Sequence, residues 1–250
     1  MDYKMNEISC KNGRNTIRGV VYFPCNTDGK IPAVILSHGY NSSYTHLADL
    51  ALHLAKNGIA AYCYDFCGGS TLSISDGKTT DMSIATEQAD LLCMIKYVRE
   101  QKTTDPDRVF LYGESQGGFV SALTAAENKG IIAGMALLYP ALCIPDNWLD
   151  KSEDELCGEF DFMGMTLTRT FYESVPKFDI YEHISAFDNP VLVMHGDSDG
   201  LVDISYAEKV KNELADCRLT VYHGEGHGFS PKARREMREE VTGFFKEVCR

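Results

Sequence analysis

The heptapeptide GESQGGF, residues 113–119, follows the apolar run RVFLY without a break. That run reads as a buried strand, and the segment from Phe119 onward carries helical apolar spacing. Between them only Gly113-Glu114-Ser115-Gln116-Gly117-Gly118 is left to make the turn. Glycines permit so tight a reversal. The serine between them is then forced into a strained backbone conformation, its hydroxyl above the sheet and a helix N-terminus beneath it. A bare Gly-x-Ser-x-Gly arises by chance in roughly one chain in ten of this length. The strand before it and the helix after it are what give it weight. The plain alternative is a glycine-rich connection with an incidental serine.

The rest of the chain continues the strand–helix rhythm. Residues 16–23 read as a strand, with MNEISCK before them as a hairpin partner. IPAVILSH (31–38) is a continuous β-branched run, as a strand covered on both faces requires. A helix is expected over 46–58, stopping at Asn57-Gly58, then a strand over 59–65. A polar loop leads to a helix over 83–100 and a strand over 105–113. Further strands are expected within GIIAGMALLYPAL, NPVLVMHGD (189–197) and RLTVYHG. A helix with a Ser205–Glu208 capping box lies between the last two, and a charged helix over 231–249 closes the chain. Such alternation predicts an α/β domain over 1–250, a mostly parallel sheet with helices on both faces. Residues 143–186 break the rhythm. A loop that long inside a compact domain is usually functional, and it reads as a small helical lid.

Composition narrows the partners. The chain has 250 residues and a formal net charge of −12, which argues against nucleic acid and anionic membrane surfaces. Its longest apolar stretch, 131–145, is interrupted by Pro140 and is shorter than the ~18 residues of a span. MDYKMNEISCKNGR is polar, with no apolar core of a secretory signal. Nine scattered cysteines suit free thiols in a reducing compartment, so a cytoplasmic location is expected. Cys63-x-x-x-Cys67 has no second pair to complete a zinc site.

A serine hydroxyl needs a base within hydrogen-bond reach and a carboxylate to orient that base. In this topology the chain order is Ser, then Asp, then His. VLVMHGDSDGLVD offers Asp197, Asp199 and Asp203 after a parallel strand. Asp199 is preferred, with Asp197 second. Asp197 follows the strand directly and braces the turn, and Asp203 suits a helix N-cap. YHGEGHGF offers His223 and His227, and His227 in the loop is preferred. His195 reads as packed, and His46, His53 and His183 as ordinary. Two backbone N–H groups must receive the oxyanion. Gln116 follows the nucleophile. Tyr40, in the SHGY loop, is the other donor, with Gly39 allowing close approach.

SHGY, YDFCGGS, GESQGG, HGDSDGLVD and GEGHGF together resemble the α/β-hydrolase superfamily. More narrowly they are similar to small bacterial cinnamoyl/feruloyl esterases, related to serine aminopeptidase-like hydrolases. The resemblance spans about residues 18–248. It implies Ser115 as nucleophile, Asp199 as acid, His227 as base, and Tyr40 and Gln116 as oxyanion donors. FCGGS departs from the Gly-x-Gly often found after the Asp-Phe element. By resemblance, Asp146 and Tyr172 stand near where polar lid groups hold an acyl phenol. Trp148 and the other lid aromatics, Phe160, Phe162, Phe171 and Tyr172, suit an aryl acyl group or simply glue the lid to the sheet.

The expected function is a serine carboxylic-ester hydrolase for cinnamoyl-type or other small apolar esters. It needs no metal or organic cofactor. A serine aminopeptidase or amidase is the first alternative, with the acidic run 152–155 available for a substrate amine. A ligand-binding protein that lost the chemistry is the second. The partner is a small-molecule ester, and a homodimer is admitted as an assembly.

Overall fold

A computed structural model describes residues 1–250. In chain order the strands are β1 (Tyr3–Asn12), β2 (Asn15–Pro24), β3 (Ile31–Ser37), β4 (Ala60–Tyr64), β5 (Thr104–Glu114) and β6 (Gly134–Leu138). A short pair follows, β7 (Glu159–Phe162) and β8 (Met165–Thr168), then β9 (Val191–Gly196) and β10 (Cys217–Tyr222). All but the short pair form one sheet in the order β1-β2-β4-β3-β5-β6-β9-β10. β2 runs antiparallel to both of its neighbours, and every pair from β4 to β10 in that order is parallel. The parallel sheet expected from the continuous apolar runs is therefore present.

The helices are α1 (Ala48–Lys56), α2 (Ile84–Arg99), α3 (Gln116–Glu127), α4 (Ile144–Trp148), α5 (Arg169–Ser174), α6 (Ile180–Ile184), α7 (Ile204–Glu213) and α8 (Pro231–Val248). Strand side chains alternate between two buried layers. Ala33, Ile35, Val109 and Leu111 face the layer that holds α2, α3, α6 and α7. Val34, Leu36, Phe110 and Tyr112 face the layer that holds α1 and α8. Period-two alternation with both faces apolar is what makes the runs unbroken in sequence. No helix is long and apolar enough to cross a membrane.

Caps set where the helices begin. Ser83 accepts from Thr86 N–H at 3.0 Å while its own N–H donates to the Thr86 hydroxyl at 2.9 Å, a reciprocal box at the start of α2. α7 does not start at the expected Ser205–Glu208 box. Its cap is Asp203, whose carboxylate accepts from Ser205 N–H at 2.9 Å. The cap lies two residues before Ser205, which becomes an ordinary first-turn residue.

Residues 143–186 are not purely helical. α4, α5 and α6 are joined by the β7–β8 hairpin, which turns at Met163 and Gly164, both at positive φ. Phe171, Ile180 and Ile184 bury the segment against the α2/α3 side of the sheet, as part of the larger core.

Candidate active site

Ser115 joins β5 to α3 with φ +52° and ψ −118°. For a non-glycine residue such a conformation costs about 1–3 kcal/mol, and the surroundings impose it. Ser115 N–H donates to Leu138 O at 3.0 Å, and Ser115 O accepts from Ala141 N–H at 2.9 Å. The end of β6 thus grips the serine from both sides. A Cβ on Gly117 would stand 2.4 Å from His38 O and 2.5 Å from Ser37 O. The first turn of α3 can cross β3 only with glycine at that position.

His227, in the loop after β10, points its Nε2 at Ser115 Oγ at 2.9 Å. Its Nδ1 lies 2.8 Å from Asp199 Oδ2. The other oxygen of Asp199 accepts from Leu201 N–H at 2.9 Å and Val202 N–H at 3.0 Å. With its carboxylate acceptor-only, Asp199 holds the imidazole with Nδ1 protonated and Nε2 free to accept from the serine. The three side chains therefore meet, though 28 and 112 residues separate His227 from its partners.

The competing residues lie elsewhere. Asp197 pairs with His223 Nδ1 at 2.7 Å and accepts from Gly224 N–H at 2.7 Å, an exposed brace between the β9 and β10 loops. His53 and His183 pair with Glu239 and Glu127. His195 is more than packing. Its Nε2 donates to Val202 O at 2.9 Å and sits 3.4 Å from Asp199 Oδ2. Burial pushes its pKa down, so it is neutral and holds the loop that presents Asp199.

Opposite Ser115, the loop after β3 comes close enough that a Cβ on Gly39 would lie 3.2 Å from the serine Cβ. Tyr40 N–H has no acceptor within the protein. Gln116 is the first residue of α3, where N–H groups lack intrahelical acceptors. Both side chains point away from the serine. Tyr40 Oη donates to Phe162 O at 2.7 Å, and Gln116 Nε2 donates to Glu87 Oε2 at 2.9 Å. Burial pushes the Glu87 carboxyl up to about 8, against the pull of that hydrogen bond. The loop that carries Tyr40 is braced by Asp65, which accepts from Tyr44 N–H at 2.6 Å and Ile74 N–H at 2.9 Å.

Ser115 and His227 form the floor of a cavity of about 420 Å³. Ile144, Trp148, Phe162 and Met163 from residues 143–186 cover it, and Leu201 and Val202 flank it. Trp148 is 3% exposed and packs at 4.8 Å from Phe162 and 4.7 Å from Phe171, centroid to centroid. It both fixes the segment and lines the cavity. Asp146 and Tyr172 do not line it, which corrects their expected place beside the substrate. α4 turns Asp146 outward to accept from Tyr206 Oη at 2.6 Å, and Lys177 stands over the Tyr172 ring. In the acidic run, Glu155 bonds Lys151 and Ser152, and Glu153 pairs with Arg169.

Three residues of the cavity escaped the sequence reading: Glu114, Tyr139 and Arg234, with His46 beside them. Glu114 is buried and accepts from Arg234 Nη1 at 2.9 Å and from Tyr112 Oη at 2.8 Å. Burial alone would raise its pKa. The His46 contact and the Arg234 charge outweigh burial and lower it to about 2. His46 Nε2 stands 3.0 Å from Arg234 Nη2 and 3.3 Å from Glu114 Oε2. A guanidinium only donates, so the first contact needs Nε2 without a hydrogen and the second needs a hydrogen on it. Glu114 lay inside the motif without a role; Arg234 had no local signal at all. No group of three or more His, Cys, Asp or Glu side chains is arranged to hold a metal ion.

Known proteins share this architecture. Est1E from Butyrivibrio proteoclasticus, solved with ferulic acid bound, superimposes with TM-score 0.88 at 22% identity, over 97% of this chain and 99% of its own. An uncharacterised protein of Mycobacterium tuberculosis is 26% identical over 91% of this chain and 74% of its own length. A protein of Bradyrhizobium sp. named as a probable 2-oxo-3-(5-oxofuran-2-ylidene)propanoate lactonase is 21% identical over 84% of this chain and 78% of its own. The family model for serine aminopeptidase, S33, matches residues 30–160, which include the Ser115 turn and the Tyr40 loop. That stretch is just over half of the chain, and so the chain belongs to the S33 serine aminopeptidase family of hydrolases, with the α/β-hydrolase fold.

Proposed function

We propose that the protein is a serine carboxylic-ester hydrolase that works through an acyl-enzyme on cinnamoyl-type or other small apolar esters. One observation carries the reading: the unbroken chain of contacts Ser115–His227–Asp199, at 2.9 and 2.8 Å, on the floor of a largely apolar cavity. His227 Nε2 takes the Ser115 proton as Oγ attacks the carbonyl carbon. Asp199 holds the tautomer that makes this possible. The developing oxyanion is received by the N–H groups of Tyr40 and Gln116. His227 then gives the proton to the departing alcohol. A water, deprotonated by the same nitrogen, releases the acid.

Trp148, Phe162 and Ile144 offer the acyl group an apolar, partly aromatic wall. Est1E, with the same fold, binds ferulic acid, and an aryl acyl group would suit this wall too. The aminopeptidase reading has less support despite the family name. A substrate ammonium needs a free carboxylate, and Glu114, the only acid lining the cavity, is committed to Arg234. In the acidic run, Glu153 and Glu155 are committed to Arg169 and Lys151, and Asp154 does not line the cavity. The test is a panel of methyl ferulate, short alkyl esters, acetylated sugars and aminoacyl arylamides, each run also with Ser115→Ala. Methyl ferulate should rank first, and every activity should vanish with the serine. Arylamide turnover exceeding ester turnover would overturn the assignment.

A further inference from the structure

We propose that Arg234, acting through Tyr139 and Glu114, is a positioning residue for the Ser115–His227 pair. The inference rests on the ester-hydrolase reading for its kinetics but has a readout independent of it. Tyr139 follows β6 and precedes Pro140. Its φ is +37°, a conformation that a bulky aromatic residue adopts only when its surroundings demand it. Its N–H donates to Met194 O at 2.8 Å, which joins it to β9.

Tyr139 sits between the two gripping points on the serine, Leu138 O and Ala141 N–H. Any relaxation of its backbone moves Ser115. Its ring lies 4.4 Å from the His227 ring and 5.6 Å from Phe229, centroid to centroid. A rotation of this side chain therefore also moves the base. The strained residue touches both members of the pair, and it is 3% exposed.

The hydroxyl end of Tyr139 decides where that ring lies. It accepts from Arg234 Nη2 at 2.8 Å and donates to Glu114 Oε2 at 3.3 Å. Arg234 in turn donates to Glu114 Oε1 at 2.9 Å. The guanidinium thus pins the carboxylate that immediately precedes Ser115 and the phenol that backs His227. One side chain of α8 holds the ends of two strands at the place where the reacting groups meet. Arg is suited to this because its fork spans two acceptors in one plane, which an ammonium on a single stem does not.

A displacement of about 1 Å between reacting groups costs on the order of 10²-fold in rate. Four variants test the chain: Tyr139→Phe, Arg234→Lys, Arg234→Met, and Arg234→Met combined with Glu114→Gln. The last removes the buried carboxylate charge that Arg234→Met alone would strand. kcat and KM on p-nitrophenyl acetate are measured beside the rate constant for fluorophosphonate labelling of Ser115, with Tm recorded for each protein.

The expected result for Tyr139→Phe and the double variant is a kcat lower by about 10- to 100-fold with KM changed less than about threefold. Labelling should slow in parallel, and Arg234→Lys should recover only part of the loss. A double variant of near wild-type Tm and low kcat supports positioning. Recovery of kcat together with Tm would reduce Arg234 to charge compensation and overturn the proposal. So would Tyr139→Phe with kcat and labelling within twofold of wild type. A rise confined to KM would make Arg234 a substrate contact and overturn it as well. Should the wild type label at Ser115 yet hydrolyse no ester, the ester reading fails while the labelling rates still decide the role of Arg234.

Discussion

Asp199→Asn is the substitution whose consequence the geometry fixes most closely. The carboxylate makes two kinds of contact. One oxygen accepts from Leu201 and Val202 N–H, and the other faces His227 Nδ1 at 2.8 Å. An asparagine has one acceptor and one donor to distribute. Two backbone donors claim the carbonyl, so the amide NH₂ must face the imidazole. His195 Nε2–H, 3.4 Å from the position of that NH₂, is a third donor and opposes the choice, but its hydrogen is already given to Val202 O at 2.9 Å, so the two backbone bonds prevail. His227 can then keep a favourable contact only by accepting at Nδ1, which places its proton on Nε2 against Ser115 Oγ. The base becomes a donor. The equivalent tautomer change in the best-studied serine proteases lowers kcat by about 10⁴, or about 5.5 kcal/mol of transition-state stabilisation. Steady-state kinetics on a p-nitrophenyl ester should show that loss with KM little changed. Asp197→Asn, which alters only the exposed His223 brace, should stay within about threefold. Comparable losses from the two variants, or an Asp199→Asn enzyme within tenfold of wild type, would refute the reasoning.

Other changes read separate parts of the site. Glu87 is buried with its pKa pushed from 4.5 to about 8. The folded state then holds a proton that the unfolded state releases above pH 4.5, so stability is full below that pH and declines towards pH 8. The whole window is worth about 3–5 kcal/mol. Glu87→Gln should flatten the fall of Tm between pH 5 and 8, and parallel curves for the two proteins would contradict the assignment. Gly117→Ala places a Cβ 2.4 Å from His38 O. It should cost at least about 2 kcal/mol by thermal unfolding, together with most of the Ser115 labelling, and a normal Tm would be incompatible with the close crossing. Trp148→Ala should cost about 3–5 kcal/mol of stability and raise KM for methyl ferulate more than for methyl acetate. Equal effects on the two esters would leave the indole a purely structural ring.

The parts legible in the sequence share one physical property: each is specified within a few consecutive residues. β3, β9 and the Val109–Tyr112 stretch of β5 are buried on both faces, so their runs are mainly apolar. The Ser115 turn needs its glycines because backbone passes backbone there. Asp199 and His227 stand in short glycine-rich loops at strand ends, where side chains meet across the sheet edge. What escaped depends on partners distant in the chain. The resemblance puts Asp146 beside the substrate, whereas α4 turns it toward Tyr206, 60 residues on. The β7–β8 hairpin has the alternation of Glu159-Phe160-Asp161-Phe162, but it sits among helical signals and has a Met163-Gly164 turn rather than an Asn-Gly one. Glu114, Tyr139 and Arg234 come from three elements and meet only in the fold.

The central claim is that Ser115 is a nucleophile activated by His227 and Asp199. Its most direct test is the intact mass of the protein after brief exposure to a fluorophosphonate, followed by peptide mapping. The account requires one adduct per chain, located on Ser115, and no adduct in Ser115→Ala or His227→Ala under the same exposure. An unmodified wild-type protein, or an adduct on another side chain that persists in Ser115→Ala, would contradict it.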